Sequence, residues 1–209
     1  MELCLINWRI NLLLLWLLGG TGKSATTVRF VMGLFIELYD PTIEDSYTKE
    51  HNGHRFEILD TAGSDALTAI REFYLRSGDA FLFVFPILKD EYSIAYLDRN
   101  LAKIISIKSD IQDIPIIVSL NKRDLINENT PKELIQQEDE ILTVLQKHNC
   151  VNYSIIETSA KTGHNINRLF EECVERKMFS ILSNMKLLEQ AIEKDKNLLK
   201  GEQKKCKIM

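Results

Sequence analysis

Short apolar runs alternate along the chain with longer stretches whose apolar residues recur every three or four positions. The runs 12–18, 55–59, 80–87, 114–120 and 152–157 predict strands, and the periodic stretches 23–32, 92–108, 131–148 and 166–179 predict helices. Strand–helix alternation of this kind predicts an α/β fold: a mainly parallel, six-stranded sheet with helices on both faces. Asn52-Gly53, a strong two-residue turn signal, joins 43–50 to 55–59 as a hairpin and predicts one antiparallel edge strand.

The apolar run 12–18 is too short for the roughly 20 residues that span a bilayer. What precedes it holds Glu2 and a lone Arg9 and lacks the basic start of a signal peptide, so the run reads as a buried first strand. After Ser180 the pattern becomes a charged helical stretch and then a Lys-rich end. The predicted organisation is a divergent segment 1–11, one domain over 12–183, and a tail over 184–209.

Composition changes this picture little. With 45% hydrophobic and 27% charged residues, the 209-residue chain has the material for a full core. A net charge of −4 gives no electrostatic footprint for nucleic acid. Cys4, Cys150, Cys173 and Cys206 lack paired spacing, which argues against a disulfide framework or a zinc site and fits a reducing compartment.

Candidate chemistry begins at Gly19-Gly20-Thr21-Gly22-Lys23-Ser24, between the first predicted strand and the first helix. Glycines let successive backbone N–H groups converge on phosphate oxygens, and the helix N-terminus adds partial positive charge. In a phosphate-binding loop of the G-x-x-x-x-G-K-S/T type, Lys23 reaches the β- and γ-phosphates and the Ser24 hydroxyl ligates Mg²⁺. The first glycine of that pattern is replaced by Leu17, with Trp16 beside it, so the start of the loop is expected to be strained or reshaped.

Asn121-Lys122-Arg123-Asp124 follows the buried strand. The Asp124 carboxylate is suited to accept from the N1–H and exocyclic amine of guanine, donors that adenine lacks, and the Lys122 stem lies over the ring. Ser159-Ala160-Lys161, at the end of another predicted strand, offers a backbone N–H to guanine O6. These motifs occur in order at the carboxyl ends of strands, the edge where open α/β sheets bind ligands.

With these residues in place, the stretch from Leu12 to Lys177 resembles the Ras superfamily, within its Ras/Rap branch. Tyr39-Asp40-Pro41-Thr42-Ile43-Glu44-Asp45-Ser46-Tyr47 matches the core effector segment of that branch, Asp60-Thr61-Ala62-Gly63 its second phosphate motif, and Thr68-Ala69-Ile70-Arg71-Glu72-Phe73-Tyr74 the Rap version of the second switch. The resemblance implies a GTP/GDP site with Mg²⁺. Lys23, Thr42, Gly63 and Ser64 would then be catalytic, and Ser24, Thr42 and Asp60 would be at the metal. The implied nucleotide contacts are Gly19, Gly20, Thr21, Gly22, Ala25, Phe35 on the base, Tyr39 over the nucleotide, Asn121, Lys122, Asp124 and Ser159 to Lys161. Loss of the γ-phosphate would free Thr42 and Gly63, and both loops would relax.

Ras-type enzymes orient the attacking water with a glutamine directly after D-T-A-G, where this chain has Ser64. A serine is too short to hold the same water. The resemblance therefore implies a small monomeric GTPase with slow intrinsic hydrolysis that depends on an activating protein. It also implies exchange factors, and effectors with Ras-binding or Ras-association domains at Tyr39 to Tyr47. The hairpin before Asp60 is shorter than is usual for that family. Cys206-Lys207-Ile208-Met209 fits C-a-a-X and predicts prenylation at Cys206, with Lys200, Lys204 and Lys205 as a basic second signal. The expected location is the cytoplasmic face of a membrane, the plasma membrane foremost. Trp16 and Leu17 keep open a pseudo-GTPase that serves as an interaction module, and also an amino terminus before Gly19 that differs from the native one.

Overall fold

The computed structural model describes residues 9–15, 20–37, 44–61, 68–89, 92–108, 111–132, 135 and 138–206. The strands are β1 (Arg9–Leu15), β2 (Glu44–His51), β3 (His54–Thr61), β4 (Ala80–Pro86), β5 (Ile116–Asn121) and β6 (Tyr153–Glu157), and the helices are α1 (Lys23–Met32), α2 (Thr68–Ser77), α3 (Ser93–Ile107), α4 (Glu138–Lys147) and α5 (Ile166–Cys206). They build one 6-stranded sheet in the order β2-β3-β1-β4-β5-β6. Every neighbouring pair is parallel except β2 with β3. The antiparallel edge arises at Asn52 and Gly53, whose φ values of 50° and 77° make the left-handed turn that matches strand twist.

Strand periodicity divides the core into two layers. Phe81, Phe83 and Phe85 of β4 and Ile116, Val118 and Leu120 of β5 face α2, α3 and α4 through Leu75, Leu97, Leu101, Ile104, Ile141 and Leu145. Ala80, Leu82 and Val84 face the other way with Ile117, against Phe30 of α1 and Leu169, Phe170 and Cys173 of α5. There Phe30 stacks on Phe170 at 3.8 Å, and Phe56 meets both rings edge-on. This aromatic cluster locks α1, which carries the phosphate-loop lysine, onto the sheet.

Three boundaries differ from those predicted. The first strand begins at Arg9, ahead of the apolar run, because its polar residues have partners: Arg9 pairs with Glu57 at 2.6 Å, and Asn11 donates to Asp79 at 3.0 Å. Residues 16–18, the end of the predicted strand, lie outside the described residues. The fourth helix begins at Glu138, not at 131. Ile135 bridges to Leu88 first, and Glu138, Asp139 and Glu140 place negative charge in the opening turn of α4. The last helix continues past 179 as a single element of 41 residues. Packing, not helicity, ends near 183, since residues 184–190 are exposed.

Candidate functional site

The ends of β1, β3, β5 and β6 lie at one edge of the sheet because these strands run parallel. The chain passes to opposite sides of β1 on its way to β3 and β4, so the loop after β1 opens at a topological switch point.

In that loop Gly20 and Gly22 have φ of 93° and 95°, the left-handed region that glycine tolerates. Gly22 caps α1, its carbonyl accepting from the Thr26 N–H at 2.8 Å. A β-carbon on Gly22 would run into Nδ2 of Asn121. Gly22→Ala is therefore expected to cost about 2–4 kcal/mol, from left-handed strain plus a displaced hydrogen bond. That should appear as a melting temperature lower by roughly 5–12 °C in a circular-dichroism melt.

Asn121 holds the base side and the phosphate side together. It is 1% exposed at the end of β5. Its Nδ2 donates to the Thr21 carbonyl at 3.0 Å, and its Oδ1 accepts from the Ala160 N–H at 3.0 Å. The Thr158 hydroxyl lies 3.4 Å from the same oxygen and 2.7 Å from the Ser119 hydroxyl. One buried amide thus ties the phosphate loop to the loop after β6, a bond set that also fixes which end of the amide is nitrogen. Thr158, directly before Ser159-Ala160-Lys161, belongs to this network although sequence reasoning did not single it out.

Lys122 is left-handed at φ 67°, and Arg123–Leu125 form a 3₁₀ turn that presents Asp124. The Asp124 carboxylate accepts from the Ser159 hydroxyl at 2.5 Å. That hydroxyl also accepts from the Thr162 N–H at 3.1 Å, so Ser159 positions the acidic side chain and the turn that carries Ala160. Ser159 and Ala160 are buried, while Lys161 and Asp124 are exposed.

Lys23 and Asp60 are both buried, at 7% and 0% exposure. Burial pushes the Lys23 ammonium below its ordinary value, against the pull of the Asp60 charge. Burial likewise raises the Asp60 carboxyl, against the Ser24 hydroxyl and the Lys23 ammonium. Neither Asp60 oxygen has a well-formed hydrogen bond among the described residues. A desolvated cation and a desolvated carboxylate side by side are arranged to receive an anion and a metal.

The Asp60 carboxylate with the Ser24 hydroxyl near it fits Mg²⁺, a hard cation that takes oxygen ligands, while Lys23 suits the anion. Ser24 and Asp60 supply two such oxygens. Among the described residues no group of three His, Cys, Asp or Glu could hold a metal, so phosphate and water oxygens would have to complete the shell, as Mg²⁺ prefers.

Phe35 is half-buried, and its ring packs against the α1–α5 layer of the core. Glu44 to Tyr47 lie on the edge strand β2, and Cys206 is the last residue of α5. Gly19, Tyr39, Asp40, Pro41, Thr42, Ile43, Gly63 and Ser64 lie outside the described residues, as do Trp16 and Leu17.

Residues 14–179 match the family model for the Ras family. The chain belongs to the Ras family. The Ras-like protein rasX of Dictyostelium discoideum is 37% identical over 168 residues, covering 76% of this chain and 73% of that protein. Ras-family proteins are GTP-binding switches that take GTP or GDP with Mg²⁺ and hydrolyse GTP, and this Ras-family protein is a small GTP-binding switch on the P-loop fold. Cys150 and Cys173 are buried thiols: burial pushes Cys150 up to about 11 and raises Cys173 further, so both stay protonated.

Proposed function

We propose that this Ras-family protein is a lipid-tethered signalling switch, active with GTP and inactive with GDP, whose own hydrolysis is slow and depends on an activating protein. The observation that carries the reading is the Asn121 amide, which makes the phosphate loop and the guanine-side loop one unit. In this reading Gly20 to Ala25 cradle the phosphates, Lys23 neutralises charge on the β- and γ-phosphates, and Ser24, Thr42 and Asp60 hold Mg²⁺. Asn121, Lys122, Asp124 and Ser159 to Lys161 read guanine, with Phe35 and Tyr39 closing over the nucleotide. Water attacks the γ-phosphorus in line and the bond to the β–γ bridging oxygen breaks. Most of the acceleration comes from charge stabilisation at Lys23 and the Gly63 N–H.

Ser64 supports a low intrinsic rate because it lacks an amide to orient that water. Effectors dock on Tyr39 to Tyr47, where the edge position of β2 suits strand addition and Glu44 and Asp45 suit a basic partner. Exchange factors act on the same switch. Prenylation of Cys206, helped by Lys200, Lys204 and Lys205, holds the protein at the cytoplasmic face of the plasma membrane.

Nucleotide analysis of the purified protein tests this reading, with and without Mg²⁺. About one guanine nucleotide per chain is expected, released on chelation. Single-turnover hydrolysis should rise at least about fivefold in Ser64→Gln. Folded protein that takes up neither GTP nor GDP would end the proposal and leave an interaction module in its place.

A further inference from the structure

Arg29 stands in the last turn of α1, the helix that begins with Lys23. Its Nη1 donates to the Gly33 carbonyl at 2.7 Å, an ordinary contact for a basic residue at a helix end. Its other two bonds leave the helix. Nε donates to the Ala160 carbonyl at 2.7 Å and Nη2 to the Lys161 carbonyl at 2.5 Å. A β-carbon on Gly163 would lie 3.9 Å from Arg29 Cδ, so the side-chain stem runs along the turn as well.

Ala160 is therefore gripped twice, by Asn121 on its N–H and by Arg29 on its carbonyl. Asn121 grips from the sheet, Arg29 from the phosphate-loop helix. A guanidinium suits such a grip, because its planar fork reaches two successive carbonyls at once, which a single ammonium cannot do.

We infer that Arg29 is a positioning residue that sets how long a guanine nucleotide stays bound, by clamping the base-reading turn at Ala160 and Lys161 onto α1. The inference rests on the nucleotide-site reading above. With the clamp closed, the turn that meets the base and the helix that meets the phosphates move as one body. With it open, the turn keeps Asn121 and the Ser159–Asp124 bond but loses its tie to α1, so it opens more often and lets the base leave.

The test uses the full chain loaded with fluorescent GDP in saturating Mg²⁺, comparing wild type with Arg29→Met, which keeps the stem and removes every donor, and Arg29→Lys, which keeps one point donor. GDP release should be at least about tenfold faster in Arg29→Met and intermediate in Arg29→Lys. Association should stay within about threefold, and chelating Mg²⁺ should accelerate release by the same factor in all three proteins, because the metal side is untouched. If Arg29→Met does not fold, Arg29→Lys decides alone, with release at least about threefold faster. Wild-type release rates in the folded variants would overturn the inference. So would two variants that behave alike and melt several degrees low, the signature of a general packing defect. A wild-type chain that never loads GDP overturns the nucleotide reading itself, a failure visible before any Arg29 variant is measured.

Discussion

Asn121→Ala is expected to lower guanine-nucleotide affinity at least about a thousandfold, the largest single effect available in this site. Much of that loss comes from the two loops the side chain ties together, in addition to any contact it makes with guanine. Removing it strands the Thr21 carbonyl and the Ala160 N–H, two groups on residues 7% and 3% exposed, each at about 1–3 kcal/mol. The phosphate loop and the guanine-side turn then lose their shared anchor and must be ordered separately when nucleotide binds. The same vacancy should lower the melting temperature by roughly 5–10 °C. Equilibrium titration with fluorescent GDP and a thermal melt read both effects. Affinity within tenfold of wild type would mean that the two loops hold their places independently.

Asp60→Asn should move stability and binding in opposite directions. Because burial raises the Asp60 carboxyl above its ordinary value of 3.8, the folded state holds that proton more tightly than the unfolded chain does. Stability of the ligand-free protein accordingly falls as pH climbs from the ordinary value of 3.8 through the raised folded value, and above that the full penalty is present. Asparagine has no charge to bury. The ligand-free variant should melt about 2–6 °C higher than wild type at a pH above the raised folded value and lose the decline with rising pH. In the same variant the gain in GDP affinity on adding Mg²⁺ should shrink by roughly a hundredfold. A ligand-free variant that melts below wild type would show that the Ser24 and Lys23 neighbours outweigh desolvation at Asp60. Such a trade of stability for a charged site is common where a fold is shaped for a ligand.

Much of the fold was legible because its signals are local. The hairpin followed from Asn52-Gly53, and both residues adopt the left-handed backbone that such a turn demands. Helices on both faces of the sheet followed from the alternation of strand-length apolar runs with helical stretches, and β4 and β5 bury both their faces. Sequence reading failed where distant partners override local character. Arg9 and Asn11 read as the polar flank of an apolar run, yet Glu57 and Asp79, 48 and 68 positions away, make them strand. Ile135 fitted the period of the fourth helix but pairs with Leu88.

The site shows the same division. Gly22, Lys23, Asn121 and Asp124 stand out in motifs whose spacing is short, and the structure brings them to one edge of the sheet. Arg29 carries no such mark. Its partners are 131 and 132 positions along the chain, and nothing in the sequence around it singles it out from any basic residue near a helix end.

α5 alters what the carboxyl end does mechanically. Asn184 is still tied to Asp113 at 2.7 Å. Beyond it Met185, Leu187, Leu188 and Ile192 are exposed, yet the helix runs unbroken to Cys206. From Asn184 to that end it forms a rod of roughly 33 Å. A flexible chain of the same length would average about 25 Å with no set direction. Anything attached at Cys206 therefore holds the domain on a lever arm, not a leash. The stand-off of the nucleotide site from that point, and the side it turns toward the surroundings, are fixed by the axis of one helix.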